Sequence, residues 1–238
     1  MNLKNQIPNL FTLGNLLCGV LIIIASFQAN FNLVLILAIT ALVFDFLDGT
    51  VARLLNVGST MGKELDSLAD VVSFGVAPSL VLFHYWKNEI VDSELLRGIL
   101  PLDFYHIALL IALFAAYRLA KFNSMEQSNE YFVGLPTPMF SITAFSIPFA
   151  AEQSLTLNSW MNSPLFILLF VVLGGVLMIS NLKLLSIKIG SSIKQLNIAR
   201  VLMIALCLVL ILLLKFFGVF LCLLVYLVFS LITQKYLS

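Results

Sequence analysis

Long apolar segments alternate with short polar stretches along almost the whole chain. A helix needs about 20 predominantly apolar residues to cross the hydrocarbon core of a bilayer. The pattern predicts eight such segments. They lie at roughly 9–28, 31–54, 64–86, 99–121, 137–152, 163–181, 198–214 and 217–233. We therefore expect an all-α fold: a polytopic membrane helix bundle of about eight transmembrane helices, forming a single integral membrane domain over 1–238.

The last apolar run, 198–233, is much longer than one crossing requires. Lys215 and Gly218 interrupt it near its middle, so it is expected to fold back as a tight helical hairpin. The fifth segment is short and begins at prolines, which predicts a tilted or partly re-entrant start.

Composition supports a membrane protein and excludes several other classes. The chain is 61% hydrophobic and 11% charged, whereas soluble domains carry about 25% charged residues. A net charge of +1 argues against nucleic-acid binding. The three cysteines lie inside apolar runs, where they are interpreted as small buried hydrophobic residues.

The distribution of basic residues predicts the orientation of the helices. If the N-terminus and the even-numbered loops are cytoplasmic, ten of the 13 Lys and Arg residues lie inside and three, Lys87, Arg97 and Lys215, lie outside. This distribution agrees with the positive-inside rule. We therefore expect both termini to be cytoplasmic, in a multi-pass protein of the cell membrane.

Four aspartates interrupt the apolar pattern on the cytoplasmic side. Asp45 and Asp48 are spaced i,i+3, and Asp66 and Asp70 are spaced i,i+4, so each pair shares one helix face. A polar link, about 55–63, joins the two helices, which are expected to be antiparallel neighbours. Facing carboxylates at membrane depth cannot all stay ionised unless cations bind between them. Oxygen ligands of this kind predict a site for two Mg²⁺ or Mn²⁺ ions.

Small and basic residues flank the aspartates. Gly49, Ala52 and Gly62 leave space for a nucleotide or another backbone, and Arg53 is a bidentate partner for phosphate. The structural alternative is a polar hairpin whose acids are neutralised by Arg53 and Lys63. Two bases would leave four acids under-neutralised, which favours the metal site.

The pattern Asp-x2-Asp-Gly-x2-Ala-Arg-x8-Gly-x3-Asp-x3-Asp resembles the signature of the CDP-alcohol phosphotransferase family of integral membrane enzymes. Its specified positions are Asp45, Asp48, Gly49, Ala52, Arg53, Gly62, Asp66 and Asp70. The resemblance implies transfer of a phosphatidyl-type group from a CDP-linked lipid to an alcohol, with release of CMP. It implies that the first three aspartates hold metal and that Asp70 holds metal or acts as a general base. It also implies a homodimer, with a six-helix catalytic core over 1–181 and an additional hairpin over 198–233.

The first predicted helix opens with polar residues on one side, Asn9, Thr12 and Asn15. Capping and interhelical hydrogen bonds would explain each residue alone. The opening Pro-Asn-x2-Thr-x2-Asn is, however, similar to many members of the same family. This similarity implies that Asn9, Thr12 and Asn15 position a nucleotide or another ligand. Together with the residues beside the aspartates, we predict a nucleotide- and diphosphate-binding group of Asn9, Thr12, Gly49, Arg53 and Gly62.

A second motif indicates the acceptor. Arg118-Leu-Ala-Lys121-Phe-Asn123, followed by Phe132-Val-Gly-Leu-Pro-Thr-Pro138, resembles the phosphatidylserine synthase branch, although Lys121 stands where Arg is common. The resemblance implies CDP-diacylglycerol and L-serine as substrates, with Arg118, Lys121 and Asn123 binding serine. A topology-setting charge pair followed by a helix start is the structural alternative.

Two other functions remain open. The same chemistry with another alcohol, of the glycerol 3-phosphate or inositol type, preserves the aspartate motif. A cation transporter would use the acids as a transit site, but transit favours charges spread across the membrane, whereas these four cluster at one face.

Overall fold

The structure is a computed structural model that describes residues 3–89, 103–125, 131–186 and 193–236. Helices make up nearly all of these segments, which confirms the all-α class. Within these described segments, five helices are long and apolar enough to cross a membrane, or up to six if the bent pair Leu155–Met161 and Pro164–Ile179 counts as one span. These helices indicate a multi-pass membrane protein. Two charges used to predict orientation, Arg97 and Lys188, lie outside the described residues.

The chain divides into two compact units, 1–120 and 121–238, which we call the N-terminal unit and the C-terminal unit. In its described residues, 3–89 and 103–120, the N-terminal unit contains four helices, a π-helical turn, a 3₁₀ turn and most of a fifth helix. These elements are α1 (Leu3–Phe27), α2 (Phe31–Leu54), α3 (Thr60–Val71), the π-helical turn (Val72–Val76), α4 (Ala77–Glu89), the 3₁₀ turn (Phe104–Leu109) and α5 (Leu110–Asn123).

Helix α1 is the main packing partner of both α2 and α3. A Cβ on Gly14 would lie 3.0 Å from the Phe44 ring of α2. A Cβ on Gly19 would lie 2.5 Å from Ser73 Oγ and 2.9 Å from Ser73 Cα in the π-helical turn. Helices α2 and α3 therefore share α1 as their main packing partner, because the glycines of α1 let the flanking segments approach it closely. The expectation that α2 and α3 are antiparallel neighbours stays a prediction.

We expect Gly19→Val to lower the thermal unfolding midpoint of the protein in detergent. Its Cβ would meet backbone of the π-helical turn at 2.9 Å, and backbone cannot move aside like a side chain. Overpacking of this kind costs about 1–3 kcal/mol. Gly58→Val is the matched control, since nothing lies within 4 Å of a Cβ there. The midpoints are measured by circular dichroism. Equal midpoints for the two variants would contradict the close contact between α1 and the π-helical turn.

The C-terminal unit combines apolar helices with a short antiparallel ribbon. Its elements are β1 (Tyr131–Val133), α6 (Thr137–Ala151), α7 (Leu155–Met161), α8 (Pro164–Ile179), β2 (Lys183–Leu185), α9 (Lys194–Thr233) and a 3₁₀ turn (Gln234–Tyr236).

The ribbon pairs β1 with β2, so that Tyr131 lies opposite Leu185 and Val133 opposite Lys183. Gly134 follows β1 with φ +71°, a left-handed conformation that favours glycine. Its N–H donates to the carbonyl oxygen of Leu182 at 2.9 Å. The sequence analysis did not predict this ribbon.

Helix α9 folds back on itself at Lys215. Lys215 has φ 50° and ψ −124°, which breaks the helix. Cys222 Sγ lies 3.6 Å from the carbonyl oxygen of Cys207, whereas fifteen residues of straight helix would span about 22 Å. A Cβ on Gly218 would collide with the carbonyl oxygen of Leu210, so glycine is required where the two arms meet.

Gln153, just after α6, completes the turn of this hairpin. With its amide oriented so that Nε2 donates to the carbonyl oxygen of Leu214 at 3.1 Å, Oε1 accepts from the N–H of Phe216 at 2.9 Å. These bonds satisfy backbone groups on both sides of Lys215 that have lost their helical partners.

Candidate active site

Three of the four predicted aspartates converge in the N-terminal unit. One carboxylate oxygen each from Asp45, Asp48 and Asp66 lies within 4.8 Å of the others. Asp70 lies within hydrogen-bonding reach of Asp45 and interacts electrostatically with all three. Helix α2 supplies one pair and α3 the other, each from one helix face. The helical spacing predicted that each pair of acids shares one helix face. The structure brings the two pairs together.

The donor atoms of this cluster fit a divalent cation. Asp66 Oδ1 is buried and has no hydrogen-bond partner in the part of the chain that the structure describes. Leaving a buried acceptor unpaired costs about 1–3 kcal/mol. A cation between the carboxylates would pair this oxygen and neutralise the facing charges. Mg²⁺ and Mn²⁺ prefer such oxygen ligands.

Helix α1 holds one carboxylate from each of its two neighbouring helices. Thr12 Oγ1 donates to Asp48 Oδ2 at 2.8 Å, and Asn15 Nδ2 donates to Asp70 Oδ1 at 3.2 Å. Both α1 side chains are buried. Because they are three residues apart on α1, they lie on the same helix face and reach α2 and α3 respectively. Hydrogen bonds of this kind limit the rotamers that each carboxylate can adopt.

A cavity of about 250 Å³ opens beside the cluster. Four of the five residues predicted to bind the nucleotide line it: Asn9, Thr12, Gly49 and Gly62. The cavity walls also include Asp48 and Asp66. A Cβ on Gly62 would lie 3.1 Å from Asn9 Oδ1, so any side chain at this position would press on the neighbouring wall. A polar ligand in this cavity would therefore contact two of the clustered acids.

The fifth predicted nucleotide residue, Arg53, lies near the end of α2 and is exposed. Its Nη2 donates to Thr50 Oγ1 at 3.2 Å, and its Nη1 lies 3.4 Å from the position of a Cβ on Gly49. The guanidinium is thus next to Gly49, a cavity-lining residue, without itself forming part of the wall.

The residues predicted to bind the acceptor lie on α5. Arg118 is buried and belongs to the N-terminal unit, while Lys121 and Asn123 belong to the C-terminal unit. Lys121 Nζ donates to the carbonyl oxygen of Ile179 at 2.7 Å and to Asn181 Oδ1 at 2.6 Å. These bonds occupy two of the three ammonium donors, so a serine carboxylate could accept from only one donor without displacing them. The assignment of all three residues to an acceptor site stays a prediction.

One polar residue near the cluster was missed by the sequence analysis. Ser73 lies in the π-helical turn three residues after Asp70, and its Oγ donates to the carbonyl oxygen of Asn15 at 2.9 Å. A lone serine in an apolar segment carries no signal of its own, and the π-helical turn that places it is not visible in the hydrophobic pattern.

The chain is similar to known proteins over much of its length. The profile of the CDP-alcohol phosphatidyltransferase family matches residues 5–171, which include all four aspartates. A Helicobacter pylori (strain ATCC 700392 / 26695) protein named CDP-diacylglycerol–serine O-phosphatidyltransferase is 35% identical over 178 residues, covering 74% of this chain and 70% of the relative. A Bacillus subtilis (strain 168) protein of the same name is 37% identical over 134 residues, covering 56% and 70% respectively. An archaetidylserine synthase from Methanothermobacter thermautotrophicus is 34% identical over 144 residues, covering 59% and 56%.

Proposed function

Because this chain belongs to the CDP-alcohol phosphatidyltransferase family, we propose that it transfers the phosphatidyl group of CDP-diacylglycerol to the hydroxyl of L-serine, giving phosphatidylserine and CMP. The serine transferases of Helicobacter pylori and Bacillus subtilis support this acceptor. The observation that carries the proposal is the convergence of Asp45, Asp48 and Asp66 beside a cavity whose walls include two of these acids.

The cluster is assigned to two Mg²⁺ or Mn²⁺ ions. The ligands proposed are Asp45, Asp48, Asp66 and Asp70. When bound, the ions would supply positive charge to the donor diphosphate and to the leaving CMP. The chain's own part is to hold these carboxylates: Thr12 donates to Asp48, and Asn15 donates to Asp70. Asn9, Gly49 and Gly62 line the adjacent cavity, where the nucleotide is proposed to bind, and Arg53 is proposed to contact phosphate.

Asp70 is proposed to act as the general base as well as a metal ligand. Its carboxylate would take the proton of the serine hydroxyl as the serine oxygen attacks the lipid-side phosphorus. The bond between serine oxygen and phosphorus forms, and the bond between this phosphorus and the CMP oxygen breaks. Direct attack is the simplest route, because the sequence places no cysteine or histidine beside the aspartates as a nucleophile.

The membrane arrangement is proposed in the same way. We place eight crossings in the cell membrane, with both termini and the aspartate cluster on the cytoplasmic side, and a homodimer as the functional unit. Helix α9 counts as one membrane span when each helix is counted once. Because it folds back as a hairpin, its two arms support two separate crossings. The excess of Lys and Arg in the predicted cytoplasmic segments supports the orientation.

The proposed function is tested by supplying alternative acceptors to the purified protein. In detergent with CDP-diacylglycerol and Mn²⁺ or Mg²⁺, labelled serine should yield phosphatidylserine and CMP in equal amounts. Glycerol 3-phosphate and inositol serve as parallel acceptors. If one of them is consumed while serine is inert, the acceptor assignment is wrong. If no acceptor releases CMP, the enzyme assignment fails and cation transport becomes the function to test.

We expect Arg118→Ala to raise the KM for serine by about 10- to 100-fold, because hydrogen bonds to charged groups contribute about 1.5–3 kcal/mol. The KM for CDP-diacylglycerol should change little. Arg118→Lys keeps the charge but loses the planar fork, so its effect should be intermediate. Lys87→Ala, on a predicted external segment, is the control and should leave both constants unchanged. A normal serine KM in Arg118→Ala would remove this residue from the acceptor site.

A further inference from the structure

A chain of polar contacts runs from the π-helical turn through α1 to Asp70. Ser73 Oγ donates to the carbonyl oxygen of Asn15 at 2.9 Å, and Asn15 Nδ2 donates to Asp70 Oδ1 at 3.2 Å. Ser73 and Asn15 are both 0% exposed. Asn15 is thus a fully buried amide that contacts a carboxylate of the aspartate cluster.

The Asn15 amide presents its NH₂ group to Asp70. This is the orientation that an ionised carboxylate requires, because such a carboxylate can only accept hydrogen bonds. This orientation leaves Asn15 Oδ1 buried and without a hydrogen-bond partner among the described residues. An unpaired buried acceptor is unfavourable. Packing alone gives no reason to bury a polar amide in this way, whereas holding the Asp70 carboxylate does.

The backbone around Ser73 allows the hydroxyl to reach the carbonyl oxygen of Asn15. The π-helical turn, Val72–Val76, begins two residues after Asp70, and single π turns inside α-helices are frequent at functional sites. Gly19 on α1 has no Cβ, and a Cβ there would lie 2.5 Å from Ser73 Oγ. A larger residue at position 19 would push Ser73 away from Asn15. The close approach at Gly19 therefore allows the Ser73 hydroxyl to reach α1 next to the residue that holds Asp70.

We propose that Asn15 is a positioning residue, supported by Ser73, that holds one oxygen of Asp70 and leaves the other available to the aspartate cluster. This inference rests on the proposed function, in which Asp70 binds metal and accepts the serine proton. Asn15 is not among the five residues proposed to bind the nucleotide, so this inference gives it a role of its own. Asn15 acts through Asp70 and not on the serine, so its loss should alter cation binding and turnover but not serine affinity.

The test compares Asn15→Ala and Ser73→Ala with a matched control, Ser26→Ala. Ser26 is also on α1, is 0% exposed, and donates from Oγ to the carbonyl oxygen of Ile23 at 2.7 Å, away from the cluster. Two readouts are used: Mn²⁺ binding to the purified protein without substrates, by electron paramagnetic resonance, and kcat with serine KM. Size exclusion and circular dichroism establish that each variant is folded.

We expect Asn15→Ala to weaken Mn²⁺ binding and to lower kcat by about 10- to 100-fold each, the usual effect of removing a partner that orients a metal ligand. Ser73→Ala should change both in the same direction by about 2- to 10-fold, as one neutral hydrogen bond is lost. Serine KM should stay close to the wild-type value. Ser26→Ala should leave Mn²⁺ affinity and kcat unchanged. Should Asn15→Ala prove unfolded, Asn15→Leu, whose side chain has the same number of heavy atoms and the same branch point, is measured instead with the same expectation.

Wild-type Mn²⁺ affinity and kcat in folded Asn15→Ala or Asn15→Leu would overturn the proposal. So would a change confined to serine KM, or an equal loss in Ser26→Ala and Ser73→Ala. Because Mn²⁺ binding is measured without substrate, it separates the two hypotheses. A protein inert toward serine, but whose Mn²⁺ binding depends on Asn15, would refute the proposed acceptor and support the positioning role.

Discussion

Asp66→Asn should lower the rate of transfer to serine by about 10³-fold, since charge stabilisation by bound cations contributes several kcal/mol. It should also weaken Mn²⁺ binding. Asparagine has nearly the same shape as aspartate, so packing in α3 is preserved. The substitution removes one negative charge from three carboxylates whose oxygens lie within 4.8 Å of one another. It also alters the group whose Oδ1 is buried and unpaired within the described residues.

Glu64→Gln is the control for this variant. Glu64 is an exposed acid on the same helix, two residues earlier and outside the cluster. Glu64→Gln makes the same chemical change, from carboxylate to amide. Because Glu64 lies outside the cluster, this variant should retain wild-type kcat and Mn²⁺ affinity. If Asp66→Asn binds Mn²⁺ as tightly as Glu64→Gln and turns over as fast, the cluster is not the metal site.

Asp70→Asn should lower kcat by about 10²- to 10⁴-fold even at saturating Mn²⁺, because the variant loses the group proposed to take the serine proton. Asp45→Asn provides the contrast. Asp45 is proposed only as a metal ligand, so raising the Mn²⁺ concentration should restore part of its activity. The measurement is kcat as a function of Mn²⁺ for both variants. Full recovery of Asp70→Asn at high Mn²⁺ would show that Asp70 serves the metal alone and is not the base.

The aspartate cluster could be predicted from the sequence because helical periodicity is a local property. Spacings of three and four residues place Asp45 with Asp48, and Asp66 with Asp70, on single helix faces whatever the helices pack against. The hairpin of α9 was predictable for a similar reason. An apolar run too long for one crossing, with Lys215 in it, must either extend beyond the bilayer or turn.

The packing around the cluster could not be predicted in the same way, because it depends on contacts between distant segments. The π-helical turn approaches α1 closely at Gly19, and α2 and α3 also pack on α1. Nothing in the local sequence of α1 specifies which residue of another segment Gly19 contacts. The π-helical turn that carries Ser73 differs from an α-helix by one residue in the spacing of its backbone hydrogen bonds, and the hydrophobic pattern does not reveal this difference. The ribbon at Tyr131–Val133 pairs segments some fifty residues apart.

The most direct test of this account is the anomalous diffraction of Mn²⁺ in crystals of the protein. We expect strong anomalous peaks bounded by oxygens of Asp45, Asp48 and Asp66, with Asp70 contributing a ligand, and loss of these peaks in Asp66→Asn. A protein that turns over serine with Mn²⁺ present but shows no peak among these carboxylates, or shows Mn²⁺ bound elsewhere, would contradict it.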